Sequence, residues 1–159
     1  MTYDPFVRGP CLTGVSSDSW HDIENDRELS VEIWYPSSES NEGQDLETDT
    51  QDQFVVPGLS GEPGSKAYQA AVRDAQTMSG ELMMIVLVHG YAGHRREFTY
   101  LATHLASHGF LVVAADHVGS TYVDIDNLVN SARRDGRRFT RADIMPALFA
   151  ARRTDIPFL

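Results

Sequence analysis

Cysteine is nearly missing from this chain. Cys11 is the single one in 159 residues, so no internal disulfide can form and no oxidising compartment is implied. Nothing beside it in the sequence would activate a thiolate, and it reads as a small packed side chain. Positive charge is scarce as well: 13 Lys and Arg face 23 Asp and Glu, for a net charge of −10. Surfaces that hold nucleic acid or anionic lipid need a basic stripe, so neither partner is expected. The imbalance is local, with 15 acidic and 4 basic residues up to Gly80 and 8 against 9 beyond it. Long apolar runs are also lacking. The longest, Leu82 to Val88, falls far short of the ~20 residues of a membrane span. The start, Met1-Thr2-Tyr3-Asp4-Pro5-Phe6, has no basic opening and no apolar core, so a secretory signal is not expected. A cytoplasmic chain, long enough for one domain with a real core, is the expectation.

What is present is an ordered series of strand and helix signals. Glu28 to Tyr35 alternates apolar and polar residues and stops at Pro36, as a half-buried strand near a sheet edge would. Trp34 falls on its polar phase and is expected to pack beneath a neighbouring loop. Residues 37–52 are almost wholly polar, and turn residues continue to Gly64. Such composition buries too little to order itself, so 37–64 reads as a mobile acidic loop, followed by a short helix over Ser65 to Thr77.

Leu82-Met83-Met84-Ile85-Val86-Leu87-Val88 then runs straight into His89-Gly90-Tyr91-Ala92-Gly93. The apolar run reads as a strand buried on both faces, as in parallel sheets. In open α/β sheets ligands bind beyond the carboxyl ends of the strands, and two glycines allow backbone N–H groups to approach a bound oxygen closely. Arg95 to His108 places Phe98, Leu101, Ala102, Leu105 and Ala106 on one helical face, with Gly109 at the cap position. Phe110 to Ala115 is a second apolar strand. Strand, helix and strand together predict a right-handed crossover. Thr121 to Asn130 reads as a loop, Thr140 and Asp143 as a helix start, and the stretch broken by Pro146 and Pro157 as two short helical pieces. Ile156-Pro157-Phe158-Leu159 ends the chain on apolar residues, as though within a packing element.

The order of these signals resembles the α/β-hydrolase fold, and more closely the predicted dienelactone hydrolases and platelet-activating-factor acetylhydrolases. Val86-Leu87-Val88-His89-Gly90-Tyr91 is similar to their oxyanion strand and turn, Leu105-Ala106-Ser107-His108-Gly109-Phe110-Leu111-Val112 to their helix end and next strand, and Val31 to Pro36 to an early strand ending in Trp-Tyr-Pro. The resemblance implies an α/β class with a mostly parallel sheet and flanking helices, residues 1–159 forming the N-terminal part of one domain whose C-terminal half is missing. It also implies that the backbone N–H of Tyr91 binds the oxyanion of a tetrahedral intermediate, with His89, Gly90 and Gly93 as the supporting turn. His89 would orient that turn rather than serve as a base. The substrate implied is a small-molecule carboxylic ester, with no cofactor and no metal. His94, His104, His108 and His117 lack the paired spacing of metal ligands.

The strained serine elbow Gly-x-Ser-x-Gly of such hydrolases is absent from these residues. Gly58-Leu59-Ser60-Gly61 fails at Glu62, and Gly119-Ser120-Thr121 lacks the second glycine. The family's chain order puts nucleophile, acid and catalytic histidine later than the oxyanion turn, so this chain alone is expected to be inactive. Asp116 and Asp124 are candidate acids only if that order were broken; otherwise they finish a strand or cap a turn. Arg133 to Arg141 could meet an acidic group, but a solvated charged face explains the cluster as well. A non-catalytic α/β binding module using the acidic half as its contact surface is the alternative.

Overall fold

The computed structural model describes residues 6–38, 43–56, 58–59, 62–143 and 145–159. Five strands form one sheet in the order β5-β1-β2-β7-β6. They are β1 (Thr13–Asp22), β2 (Arg27–Pro36), β5 (Val72–Arg73), β6 (Met84–Leu87) and β7 (Leu111–Ala115). β1 and β2 are an antiparallel hairpin paired from Thr13–Pro36 to Asp22–Arg27, and β2 is antiparallel to β7. β1–β5 and β6–β7 are parallel, so the sheet is mixed. β3 (Asp52–Val56) and β4 (Ser65–Gln69) make a separate antiparallel pair.

The crossover from β6 to β7 passes through α1 (Thr99–Ser107), as the sequence predicts. α1 lies on the sheet face that carries Val15, Trp34, Val112 and Ala114, and its Ala102 and Ala106 are fully buried there. Alanine at both positions lets the helix backbone come close to the sheet. The opposite face buries Leu29, Val31 and Ala115, with Trp20, Ile33 and Leu159 packed around them. These two sets alternate along β2 as the two-residue period of a strand requires.

Several expectations are corrected. β2 is an interior strand rather than an edge strand, because β1, a polar sequence with no clear apolar pattern, covers its other side. Trp34 is fully buried on the α1 face, and its indole N–H donates to Gln69 Oε1 at 2.7 Å. The seven-residue strand buried on both faces shortens to β6, which lies at the sheet edge with Met83 and Met84 exposed. The helix expected over 65–77 is instead β4 and β5, whose backbone groups pair with β3 and β1. The acidic span 37–64 is not one structureless loop: it carries a 3₁₀ turn at Gln44–Leu46 and β3. Buried Asp45 anchors that turn to Arg8 and, at 2.9 Å, to the Thr13 N–H. Residues 39–42, 57, 60 and 61 of that span, Ser60 included, lie outside the described residues.

The loop expected at 121–130 is the start of α2 (Tyr122–Arg134). Thr121 and Asp124 form a reciprocal capping box there, which satisfies the orphan N–H groups of the first turn. α3 (Met145–Phe158) is continuous rather than two pieces. Pro146 sits in its first turn, where a missing N–H costs no helical bond, and Pro157 in its last.

Candidate active site

The turn after β6 is held by three side chains, those of His89, Glu97 and Arg152. His89 is 3 % exposed, and its Nε2 accepts from the backbone N–H of His117 at 3.1 Å. Because a backbone N–H can only donate, the ring proton is on Nδ1, which donates to the Gly90 carbonyl at 2.8 Å. Burial pulls the His89 imidazole below its ordinary pKa, against the opposing influence of that Gly90 bond. Both ring nitrogens are thereby occupied, leaving His89 no free lone pair with which to act as a base. Glu97 Oε2 accepts from the Gly90 N–H at 3.1 Å. Arg152 Nη2, from α3, donates to the carbonyls of His89 at 2.7 Å and Gly90 at 2.8 Å.

Ala92 has φ +55, a left-handed conformation that strains a residue with a Cβ. Its side chain packs against Ile125, Leu148 and their neighbours, and the following Gly93 bridges to Thr121, with the Tyr122 N–H donating to the Gly93 carbonyl at 3.1 Å. A Cβ at Gly93 would come within 2.1 Å of Glu97 Oε2, so glycine there keeps Glu97 in reach of Gly90. Tyr91 itself is half exposed, and its N–H has no hydrogen-bond partner among the described residues. The turn thus presents a backbone donor at the end of a parallel strand, the position where α/β sheets bind ligands.

Two ionic clusters brace this region. Behind the turn, fully buried His117 places Nδ1 2.9 Å from Asp155 Oδ2, and Arg27 reaches Asp155 at 2.6 Å and Asp22 at 3.3 Å. The rings of His89 and His117 are 4.9 Å apart. In front, Glu32 is fully buried in β2 and meets Arg73 and Arg96 at 2.9 Å and Arg95 at 3.5 Å. Burial lowers the Arg73 guanidinium, but its bonds to Asp52 and Glu32 more than reverse that and carry it above the ordinary arginine value. Arg96 also lies over the Phe54 ring at 5.1 Å.

A cavity of about 260 Å³ opens beside the turn, lined by Phe54, His94, Arg95, Asp116 and Tyr122 among others. The rings of His94 and Tyr122 lie 5.4 Å apart with their planes tilted by 58°, and burial lowers the His94 pKa and raises that of Tyr122. The Asp116 carboxylate accepts from the Arg95 N–H at 2.6 Å and pairs with the Arg95 side chain, while Asp124 serves the α2 cap. Of the arginine cluster, Arg133 and Arg134 lie in the last turn of α2, where cations complement the helix dipole. Arg137 pairs with Asp143 at 3.1 Å. The side chain of Arg141 lies outside the described residues. No group of three metal-ligating side chains occurs among the described residues, and no described helix is long and apolar enough to cross a membrane.

Glu97, Asp155 and Arg152 escape sequence reasoning. Arg152 is 62 positions from Gly90, and no local pattern announces such a contact. A signal did exist for Glu97, since an acidic residue a few positions after a glycine turn can cap its free N–H groups.

The fold is α/β, with a mixed sheet, flanking helices and a partial hydrolase-like architecture that resembles an esterase. Residues 16–126 match the family described as platelet-activating factor acetylhydrolase, isoform II, and the chain belongs to that family. Among solved structures it is similar to a ferulic acid esterase from Streptomyces cinnamoneus, with 25% identity over 74% of this chain and a TM-score of 0.52. The match covers 36% of that esterase, so the chain spans about a third of its length. No curated protein matches.

Proposed function

We propose that these residues supply the oxyanion half of a carboxylic ester hydrolase. The observation that carries the reading is the Tyr91 N–H, left without a described partner in the turn that follows β6, while the carbonyl of its own peptide and both ends of the preceding His89–Gly90 peptide are held. Family membership supports the same reading. In the reaction, a serine hydroxyl from a nucleophile elbow adds to the ester carbonyl, whose oxygen becomes an anion and accepts from the Tyr91 N–H. Collapse expels the alcohol, and water then cleaves the acyl-enzyme. One such preorganised donor contributes about 2.7–4 kcal/mol to the transition state. The substrate is a small-molecule ester, and His89, Gly90 and Gly93 are the supporting turn. The acyl-enzyme step needs a serine elbow, which these 159 residues do not contain, so on their own they bind developing charge without creating it.

The test is hydrolysis of a p-nitrophenyl ester by the 159-residue chain and by the product of the complete reading frame that contains it. Turnover by the latter alone is expected. Turnover by the 159-residue chain that survives purification would overturn the inactive-alone reading, and a complete product inert towards all short-chain esters would overturn the esterase reading.

A further inference from the structure

Arg152 has an unusual set of partners for an arginine. Among the described residues it forms no ion pair, although Asp155 and Glu97 are near enough to act on it electrostatically. Its Nη2 is instead directed at two successive main-chain carbonyls, those of His89 at 2.7 Å and Gly90 at 2.8 Å. Its Nε is buried without a partner. A guanidinium placed this way carries a desolvation cost that a surface ion pair would avoid, and what it gains is control of two peptide groups.

The peptide units show what that control does. The His89–Gly90 unit is bound at both ends, its carbonyl by Arg152 and its N–H by Glu97. The Gly90–Tyr91 unit is bound only at its carbonyl, by Arg152 and His89 Nδ1 together, as two lone pairs permit. That carbonyl and the Tyr91 N–H belong to one planar trans peptide and point in opposite directions. Fixing the first therefore aims the second. A full positive charge at the carbonyl also draws electron density through the amide, which makes the N–H a stronger donor.

We propose that Arg152 is a positioning residue that holds and polarises the Gly90–Tyr91 peptide so that the Tyr91 N–H is presented as a preformed anion donor. The proposal rests on the reading of Tyr91 as the oxyanion donor. It assigns a role to α3, which lies beyond residues 16–126 matched by the family. His89 fixes the same peptide from within the motif; Arg152 adds charge from a distant helix.

Two measurements test it. In amide spectra of the ¹⁵N-labelled 159-residue chain, Arg152→Gln is expected to move the Tyr91 amide proton upfield more than any amide of β1, and Arg152→Lys, which keeps the charge, to move it less. In the product of the complete reading frame, Arg152→Gln is expected to lower kcat by about tenfold with KM little changed, as for an interaction made in the transition state, and Arg152→Lys to recover part of the loss. A Tyr91 amide that stays in place in Arg152→Gln overturns the role of Arg152, as does a loss of melting temperature with kcat unchanged. Tyr91→Pro separates the two readings: full activity there overturns the oxyanion assignment, whatever the Arg152 variants do to the spectrum.

Discussion

Glu32 offers the sharpest energetic prediction, because it is a fully buried carboxylate in the central strand β2 surrounded by three guanidinium groups. Glu32→Gln keeps the side chain's size and one carbonyl acceptor but removes the charge. Breaking a buried ionic network by deleting one partner costs about 3–5 kcal/mol. Here the arginine side chains retain 17–30% exposure, so water recovers part of that cost. Asp52 still holds Arg73 and Asp116 still holds Arg95. Arg96 has no other carboxylate among the described residues and keeps only Ser17 at 3.1 Å and the Phe54 ring. The expected loss is therefore about 2–3 kcal/mol, centred on Arg96. Urea unfolding of the chain should show the midpoint falling with the slope unchanged. A cycle with Arg96→Gln should give a coupling of about 1 kcal/mol or more. A loss under about 0.5 kcal/mol, typical of an exposed pair, would refute the placement of Glu32 as the keystone between β2, the β3–β4 pair and the segment leading into α1.

Other perturbations have equally definite signs. Because burial depresses the His89 pKa, its neutral form is favoured by folding, so the stability it contributes is complete above the ordinary histidine value of ~6.5 and is lost as pH falls through the folded value. Urea midpoints measured from pH 7.5 downward should decline in that window, and less so in His89→Gln. Thr121→Ala removes the side chain that accepts from the Asp124 N–H and breaks the capping box. It should cost α2 about 1 kcal/mol, visible as a lower thermal midpoint, and an unchanged midpoint would mean that the box is not formed.

Periodicity and glycine turns made the crossover legible, because every residue from Met84 to Ala115 that forms it obeys a local rule: apolar strand, amphipathic helix with buried alanines, glycine cap, apolar strand. β1 was not legible. Its sequence is mostly Ser, Asp and Gly, and it is a strand because ten residues of β2 pair with it, a non-local cause. The same holds for β4, built of mostly polar, helix-tolerant residues, and for the two-residue β5, which form only against partners elsewhere in the chain. In the candidate site, His89, Gly90, Tyr91 and Gly93 stand out from their motif alone. The groups that hold them, Glu97, His117, Asp155 and Arg152, come from α1's approach, the end of β7 and α3. Long-range hydrogen bonds leave no spacing to read, and α3 further defied the rule that proline interrupts a helix by placing its two prolines in end turns.

The proposed oxyanion donor is the Tyr91 N–H, and substitution by proline removes it while leaving the carbonyl that His89 and Arg152 hold. The decisive measurement is kcat for a p-nitrophenyl ester in the product of the complete reading frame, comparing Tyr91→Pro with Tyr91→Phe after both are shown to fold. A fall of about 10²–10³ in the proline variant, with the phenylalanine variant close to wild type, is predicted; a proline variant that keeps the full rate would contradict the account.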